Sequence, residues 1–261
     1  MRRELNFVEI HLTHHCNLNC ASCTHYAPLV TEPWFKDYDE YVKEIAQIAA
    51  LTGRSIKTLR LLGGEPFLHP DLLKFCFISR KALPSTAIQV FTNGTLLMHQ
   101  SNEFFKCLNE WNICIALSDY YLSPEIKEFL QEKSTLFSIH PPAKFIKPAL
   151  NLHQSNTKEY NFYDCTTRFT YPCYNLRDGY LYHCPTMAYF DFFLKYYKIK
   201  LDEFDEFDVR KFGINIFEST KEDIDKYLNT PNEFCKYCDM ENKFTPVGYS
   251  LSKRNMSEWV G

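Results

Sequence analysis

The chain contains no run of apolar residues approaching the roughly 18 that a membrane span needs, so the sequence predicts no membrane-spanning helix. It has no sustained basic stripe. A formal charge of −3 and a pI near 6.3 leave no electrostatic footprint for nucleic acid. The opening Met-Arg-Arg-Glu-Leu-Asn-Phe-Val-Glu-Ile has an arginine pair but no apolar stretch behind it, which is not the pattern of a secretion signal. Internal repeats and low-complexity segments are also missing. These absences lead to the expectation of a soluble, cytoplasmic protein without nucleic-acid or membrane partners. The 261 residues suffice for one full domain and a small second one, and 45% hydrophobic with 16% aromatic residues can build a substantial core.

Cysteine is not scarce. Eleven cysteines in a cytoplasmic setting are more readily metal ligands or buried thiols than disulfides. Cys16, Cys20 and Cys23 form one group, in the stretch Thr13-His-His-Cys-Asn-Leu-Asn-Cys-Ala-Ser-Cys-Thr-His-Tyr-Ala-Pro28. Their spacing is C-x3-C-x2-C. Three thiolates can hold three irons of a cubane cluster and leave the fourth iron open to a small molecule. Four cysteines would close such a cluster, and zinc also prefers four ligands. Cys173, Cys184, Cys235 and Cys238 form a second group. Cys76, Cys107 and Cys114 lie in predicted helix or strand and read as small hydrophobes. Cys165, just before the second group, reads as a bland thiol, a substitute ligand or a hydrogen-atom donor.

The first 140 or so residues alternate strand and helix signals. Strands are predicted over 7–12, 56–62, 87–91, 113–117 and 135–139, with helices over 39–51, 71–78, 103–108 and 124–133. Repeated β-α units imply a parallel sheet, with chemistry at the strands' carboxyl ends. The repeats are too few for a closed eightfold barrel. From about 141 the periodicity fades, and the prolines and the polar run 151–160 suggest a linker. Beyond it, Asp178-Gly179 between two β-prone runs signals a hairpin that brings Cys173 and Cys184 face to face. Ser219-x-x-Glu222 is a capping-box signal for a helix over 222–228, which delivers the chain to Cys235-x2-Cys238.

Turn motifs close several strands. Gly63-Gly64-Glu65-Pro66 follows the second predicted strand, and its glycines permit close backbone approach to a ligand. Thr92-Asn-Gly-Thr95 follows the third, and Ser118-Asp119 the fourth; ordinary turn chemistry would account for both.

The cysteine loop, with the Gly-Gly-Glu-Pro turn about 40 residues later in a β-α series, resembles the radical S-adenosylmethionine (radical SAM) superfamily. That resemblance implies an α/β fold: a partial (β/α)6 TIM barrel core over 1–150, a linker over 151–165, and a small cysteine-rich domain over 166–261. The C-terminal cysteines resemble the "twitch" domain, a short form of the SPASM domain, which holds one auxiliary [4Fe-4S] cluster. A zinc site on the same four cysteines is the competing expectation. The resemblance further implies that Cys16, Cys20 and Cys23 bind the SAM-cleaving [4Fe-4S] cluster, and that Gly63, Gly64, Glu65 and Pro66 contact the methionine amino group. Asn93 and Ser118 become cofactor contacts. Tyr26 becomes an adenine neighbour, since Ser22 stands where many members carry an aromatic residue. Cys165 and Arg168 remain weak catalytic candidates. A flavodoxin- or ferredoxin-type reductant is implied as partner. The expected reaction is hydrogen-atom abstraction by a 5′-deoxyadenosyl radical from a sugar- or cyclitol-type alcohol, ending in oxidation or epimerisation. A peptide-modifying maturase, a glycyl-radical activating enzyme and a non-enzymatic Fe-S or zinc protein are the alternatives.

Overall fold

In the computed structural model, residues 3–119, 124–140, 145–153, 158–165, 173–201, 206–243 and 245–261 are described. Arg168, Pro141, Pro142 and part of the expected linker lie outside them. The chain divides into two compact units: residues 6–14 with 34–143, and residues 1–5, 15–33 and 144–261.

The first of these is the β-α series. Strands β1 (Phe7–Thr13), β2 (Thr58–Gly63), β3 (Ala87–Thr92), β4 (Cys114–Ser118) and β5 (Phe137–His140) alternate with helices α1 (Tyr38–Leu51), α2 (Leu72–Ala82), α3 (Asn102–Glu110) and α4 (Pro124–Glu132). The strands pair in parallel in the order β5-β4-β3-β2-β1, so this is the α/β fold expected. Helix starts follow local chemistry. Asp37 accepts the Glu40 amide at the start of α1, and Ser101 accepts the Phe104 amide at the start of α3. The next strand, β6 (Phe145–Ile146), pairs antiparallel with β10 (Pro246–Val247).

Register sorts the sheet's side chains, since paired residues on parallel neighbours share a face. Val8, Ile10, Leu12, Leu59, Leu61, Ile88 and Val90 are buried on one face. The other carries Glu9 and His11 from β1, Arg60 from β2, Gln89 from β3, Ser118 from β4 and His140 from β5. A sheet apolar on both sides would need no such residues.

The second unit is built around an aromatic core that includes Tyr26, Tyr182, Tyr189, Phe190, Phe193, Phe234, Tyr237 and Trp259. The expected hairpin is present: β7 (Asn175–Arg177) pairs antiparallel with β8 (Tyr180–Tyr182) across Asp178-Gly179, and β9 (Ile214–Asn215) adds to β8. Asp178 and Gly179 both adopt positive φ, at 51° and 78°, the geometry that an Asp-Gly turn supplies at low cost. Residues 158–164, expected to be linker in part, form helix α5 (Lys158–Asp164). The helix before the Cys-x2-Cys pair runs Lys221–Leu228, with Thr220 and Asp223 forming the capping box. The cap thus falls one residue later than Ser219 and Glu222 suggested. Asp223 reaches both the Thr220 amide and its hydroxyl at 3.0 and 2.7 Å. No helix among the described residues is long and apolar enough to cross a membrane.

Candidate functional site

The cysteine loop belongs to the second unit, where residues 250–259 brace it. Ala21 donates its amide to the Ser250 carbonyl at 2.9 Å, and the Ser252 amide reaches the Asn19 carbonyl at 2.7 Å. The Ser22 hydroxyl donates to the Glu258 carbonyl at 2.9 Å, and the Trp259 indole N–H to the Cys23 carbonyl at 2.9 Å. Donors also converge on the sulfurs. The Leu18 amide lies 3.4 Å from Cys16 Sγ. Burial pushes the Cys20 thiol up to about 12, and Cys23 adds to this while a hydrogen bond from Tyr249 opposes it. Burial also raises Cys23, against hydrogen bonds from the Ala27, His25 and Tyr26 backbone. Thiols hard to ionise alone, yet ringed by N–H and O–H donors, suit a bound cation that supplies the missing charge. The donor set therefore fits an iron–sulfur cluster.

Tyr26 takes a different role from the one expected. It stands at φ 54° and is fully buried. Its ring packs near Phe193 and Trp259, and its hydroxyl donates to the Thr186 carbonyl at 3.4 Å. It is a core side chain, enclosed rather than presented to a ligand. Ser22, also at positive φ (60°) and buried, occupies a position where a bulky residue would be strained.

In the β-α unit, Gly63 ends β2 against Thr13. The Gly64 amide donates to the Thr13 carbonyl at 2.9 Å, and a Cβ on Gly63 would collide with that same carbonyl oxygen. Glu65 is fully buried. Its carboxylate accepts the Thr92 hydroxyl at 2.7 Å, the Asn93 amide at 2.9 Å and the Phe67 amide at 3.2 Å. Burial pushes its carboxyl up to about 7, although these three donors hold it down. The Glu65 side chain therefore locks the turn after β2 to the turn after β3. Asn93 Oδ1 accepts from the Thr95 amide and hydroxyl at 2.9 and 2.6 Å, an Asx turn. Ser118 is buried at the end of β4, paired in register with His140.

Sequence reasoning missed the polar sheet face. Arg60 donates to Gln89 Oε1 at 2.9 Å and pairs with Glu9 at 3.3 Å, with its guanidinium over the rings of Phe7 and Phe91. Glu9 thus meets the arginine's charge within the row. His140 lies beyond it. Burial and then the Arg60 charge lower its imidazole below its ordinary value, and among the described residues its Nε2 has no hydrogen-bond partner. The alternation Glu9, Ile10, His11, Leu12, Thr13 was the available signal.

The C-terminal cysteines surround a cavity lined by Cys165, Cys184, Cys235, Cys238, Asn161, His183 and Lys243, among others. Cys173 is not in that lining; it precedes the hairpin, where its carbonyl accepts from Asn175 at 2.8 Å. Cys165, read from sequence mainly as a bland thiol, lines the cavity with Cys184, Cys235 and Cys238. The hairpin expectation counted back from Cys184 along the strands and overlooked helix α5, whose end delivers Cys165 to the cavity. Burial pushes Cys184 up to about 12 and raises Cys235, while the Lys243 ammonium opposes both. Among the described residues no three Cys, His, Asp or Glu side chains converge tightly enough to grip a single ion; the four thiols instead line the walls of one space.

Residues 10–126 match the model of the Radical SAM superfamily. The family uses a [4Fe-4S] cluster and S-adenosylmethionine. Among curated relatives, GTP 3′,8-cyclase of Chlorobaculum tepidum is 32% identical over 38% of this chain and 28% of its own length. The antilisterial bacteriocin subtilosin biosynthesis protein AlbA of Bacillus subtilis is 28% identical over 57% of this chain and 33% of its own. The matches thus span about a third of those relatives. BtrN in complex with AdoMet and 2-DOIA has a similar fold, with TM-score 0.53 and 16% identity over 95% of this chain and 98% of that one. Native anSMEcpe with bound AdoMet has TM-score 0.50 and 12% identity over 94% and 93%.

Proposed function

We propose that this chain is a radical SAM enzyme acting on a small-molecule alcohol of the sugar or cyclitol type. The observation that carries the proposal is the Cys16, Cys20 and Cys23 loop, with donors at each sulfur, inside a stretch that matches the superfamily model. Those cysteines hold three irons of the cluster. When bound, the cluster and S-adenosylmethionine supply a 5′-deoxyadenosyl radical that takes a hydrogen atom from substrate. The backbone of Gly63, Gly64 and Pro66 binds the cofactor, held in shape by the Glu65 side chain; Asn93 and Ser118 are further contacts.

The alcohol reading draws support from the polar face of the sheet, where Arg60 pairs with Glu9 and His140 offers a nitrogen for a hydroxyl proton. It also draws on the likeness to BtrN, whose complex holds AdoMet and 2-DOIA, along nearly the whole of both chains. A peptide substrate is the second reading, favoured by the AlbA match over 57% of this chain. We assign Cys165, Cys184, Cys235 and Cys238 to an auxiliary [4Fe-4S] cluster, a twitch-like site that would accept the second electron of an alcohol oxidation.

The test is anaerobic reconstitution followed by iron, sulfide and zinc analysis and a dithionite-driven assay for 5′-deoxyadenosine. About eight irons and steady 5′-deoxyadenosine are expected, with Cys20→Ala abolishing the latter. Undiminished 5′-deoxyadenosine from Cys20→Ala would refute the assignment. About four irons with one zinc would move the C-terminal thiols to a structural role.

A further inference from the structure

Lys243 is 8% exposed, and lysine is almost never so buried unless its charge is met. Here its ammonium donates to Cys238 Sγ at 3.0 Å. The position is prepared by the backbone. After Cys238, Asp239 accepts the amides of Glu241 and Asn242 at 3.1 and 3.2 Å, and the Lys243 amide returns to the Asp239 carbonyl at 2.7 Å. This tight turn points the fifth residue after Cys238 back at its own cysteine. Asn161 fixes the other side, donating to the Cys235 and Cys238 carbonyls at 2.6 and 2.8 Å.

We propose that Lys243 is a positioning residue that raises the reduction potential of a cluster held by Cys165, Cys184, Cys235 and Cys238. This rests on the auxiliary-cluster assignment above. A four-thiolate cluster is anionic and gains one more negative charge on one-electron reduction. A fixed cation in a water-poor wall stabilises the more negative state more strongly. The consequence is a cluster poised to accept an electron rather than to donate one.

The experiment compares the anaerobically reconstituted wild-type chain with Lys243→Met and Lys243→Arg by iron content and by a redox titration followed by electron paramagnetic resonance. With iron retained, Lys243→Met should lower the reduced-to-oxidised ratio of the auxiliary signal at least tenfold at a fixed potential, a shift of about 59 mV for one electron. Lys243→Arg should stay near wild type. Loss of about four irons in Lys243→Met but not in Lys243→Arg would also support the charge role. An unchanged potential in fully loaded Lys243→Met, or equal iron loss in both variants, would overturn it. A wild-type chain with only about four irons would overturn the auxiliary-cluster assignment, and this inference with it.

Discussion

The Thr13 carbonyl accepts the Gly64 amide at 2.9 Å while lying where a side chain on Gly63 would have to stand. β1 and β2 therefore meet at their carboxyl ends through backbone alone. Gly63→Ala cannot be absorbed by a rotamer change, because the obstacle is main chain. We expect it to cost about 1–3 kcal/mol and to weaken S-adenosylmethionine binding at least tenfold. Chemical denaturation and equilibrium binding check this, and near-wild-type values in both would refute the account.

Glu65 gives a pH prediction. Its folded value near 7 lies above the ordinary carboxyl value of 4.5, so the native state holds its proton more tightly than the unfolded chain does. This contribution favours folding below 4.5 and is lost as pH rises from 4.5 through about 7. Glu65→Gln should flatten that part of the stability profile. It should also cost about 1–3 kcal/mol, because one acceptor oxygen becomes a donor facing N–H or O–H groups. Denaturation midpoints from pH 4 to 8 provide the measurement.

Cys165 and Cys173 separate cleanly. Cys165 lines the cavity with Cys184, Cys235 and Cys238. Cys165→Ala should lower iron by about four per chain, a cubane's worth, and Cys173→Ala should leave it unchanged. The reverse pattern would restore the ligand set expected from the hairpin.

Trp259 is fully buried, and its indole donates to the Cys23 carbonyl. Trp259→Phe keeps much of the ring packing but removes that bond, at a cost of about 0.5–1.5 kcal/mol, with the carbonyl still accepting the Tyr26 amide at 3.0 Å. The first cluster should bleach several-fold faster in air or chelator. Equal bleaching rates would mean that the loop holds its shape without this bond.

His140 tests the substrate face. Its neighbours are the Arg60 guanidinium, itself balanced by Glu9, and the Phe91 ring. A lowered imidazole pKa puts the neutral, proton-accepting form in place at neutral pH. Turnover should therefore rise with pH through a limb below the ordinary 6.5 and then level off. His140→Asn should reduce alcohol turnover about 10²-fold or more while 5′-deoxyadenosine still forms without substrate. A parallel loss of both activities would point to a folding role.

Much of this was readable in the sequence. The β-α alternation located the five strands within a residue or two, because apolar periodicity and turn chemistry agreed at each boundary. The cysteine loop and the Gly-Gly-Glu-Pro turn stood out because their spacing is dictated by local geometry. Tyr26 was misjudged, since neither its positive φ nor its burial leaves a trace in neighbouring residues. Cys165 and Lys243 gain their meaning from the cavity they share with residues distant in sequence. Glu9, Arg60 and Gln89 lie far apart along the chain, with Arg60 51 residues after Glu9 and Gln89 29 residues after Arg60, and register alone lines them up.

The bond from Trp259 to Cys23 joins positions 236 residues apart. At a ribosome's pace of about 5–20 residues per second, Cys23 emerges roughly ten to fifty seconds before its brace exists. The loop that carries the three thiols is thus synthesised well before the segment that braces it, so its braced geometry waits on translation of everything between those two residues.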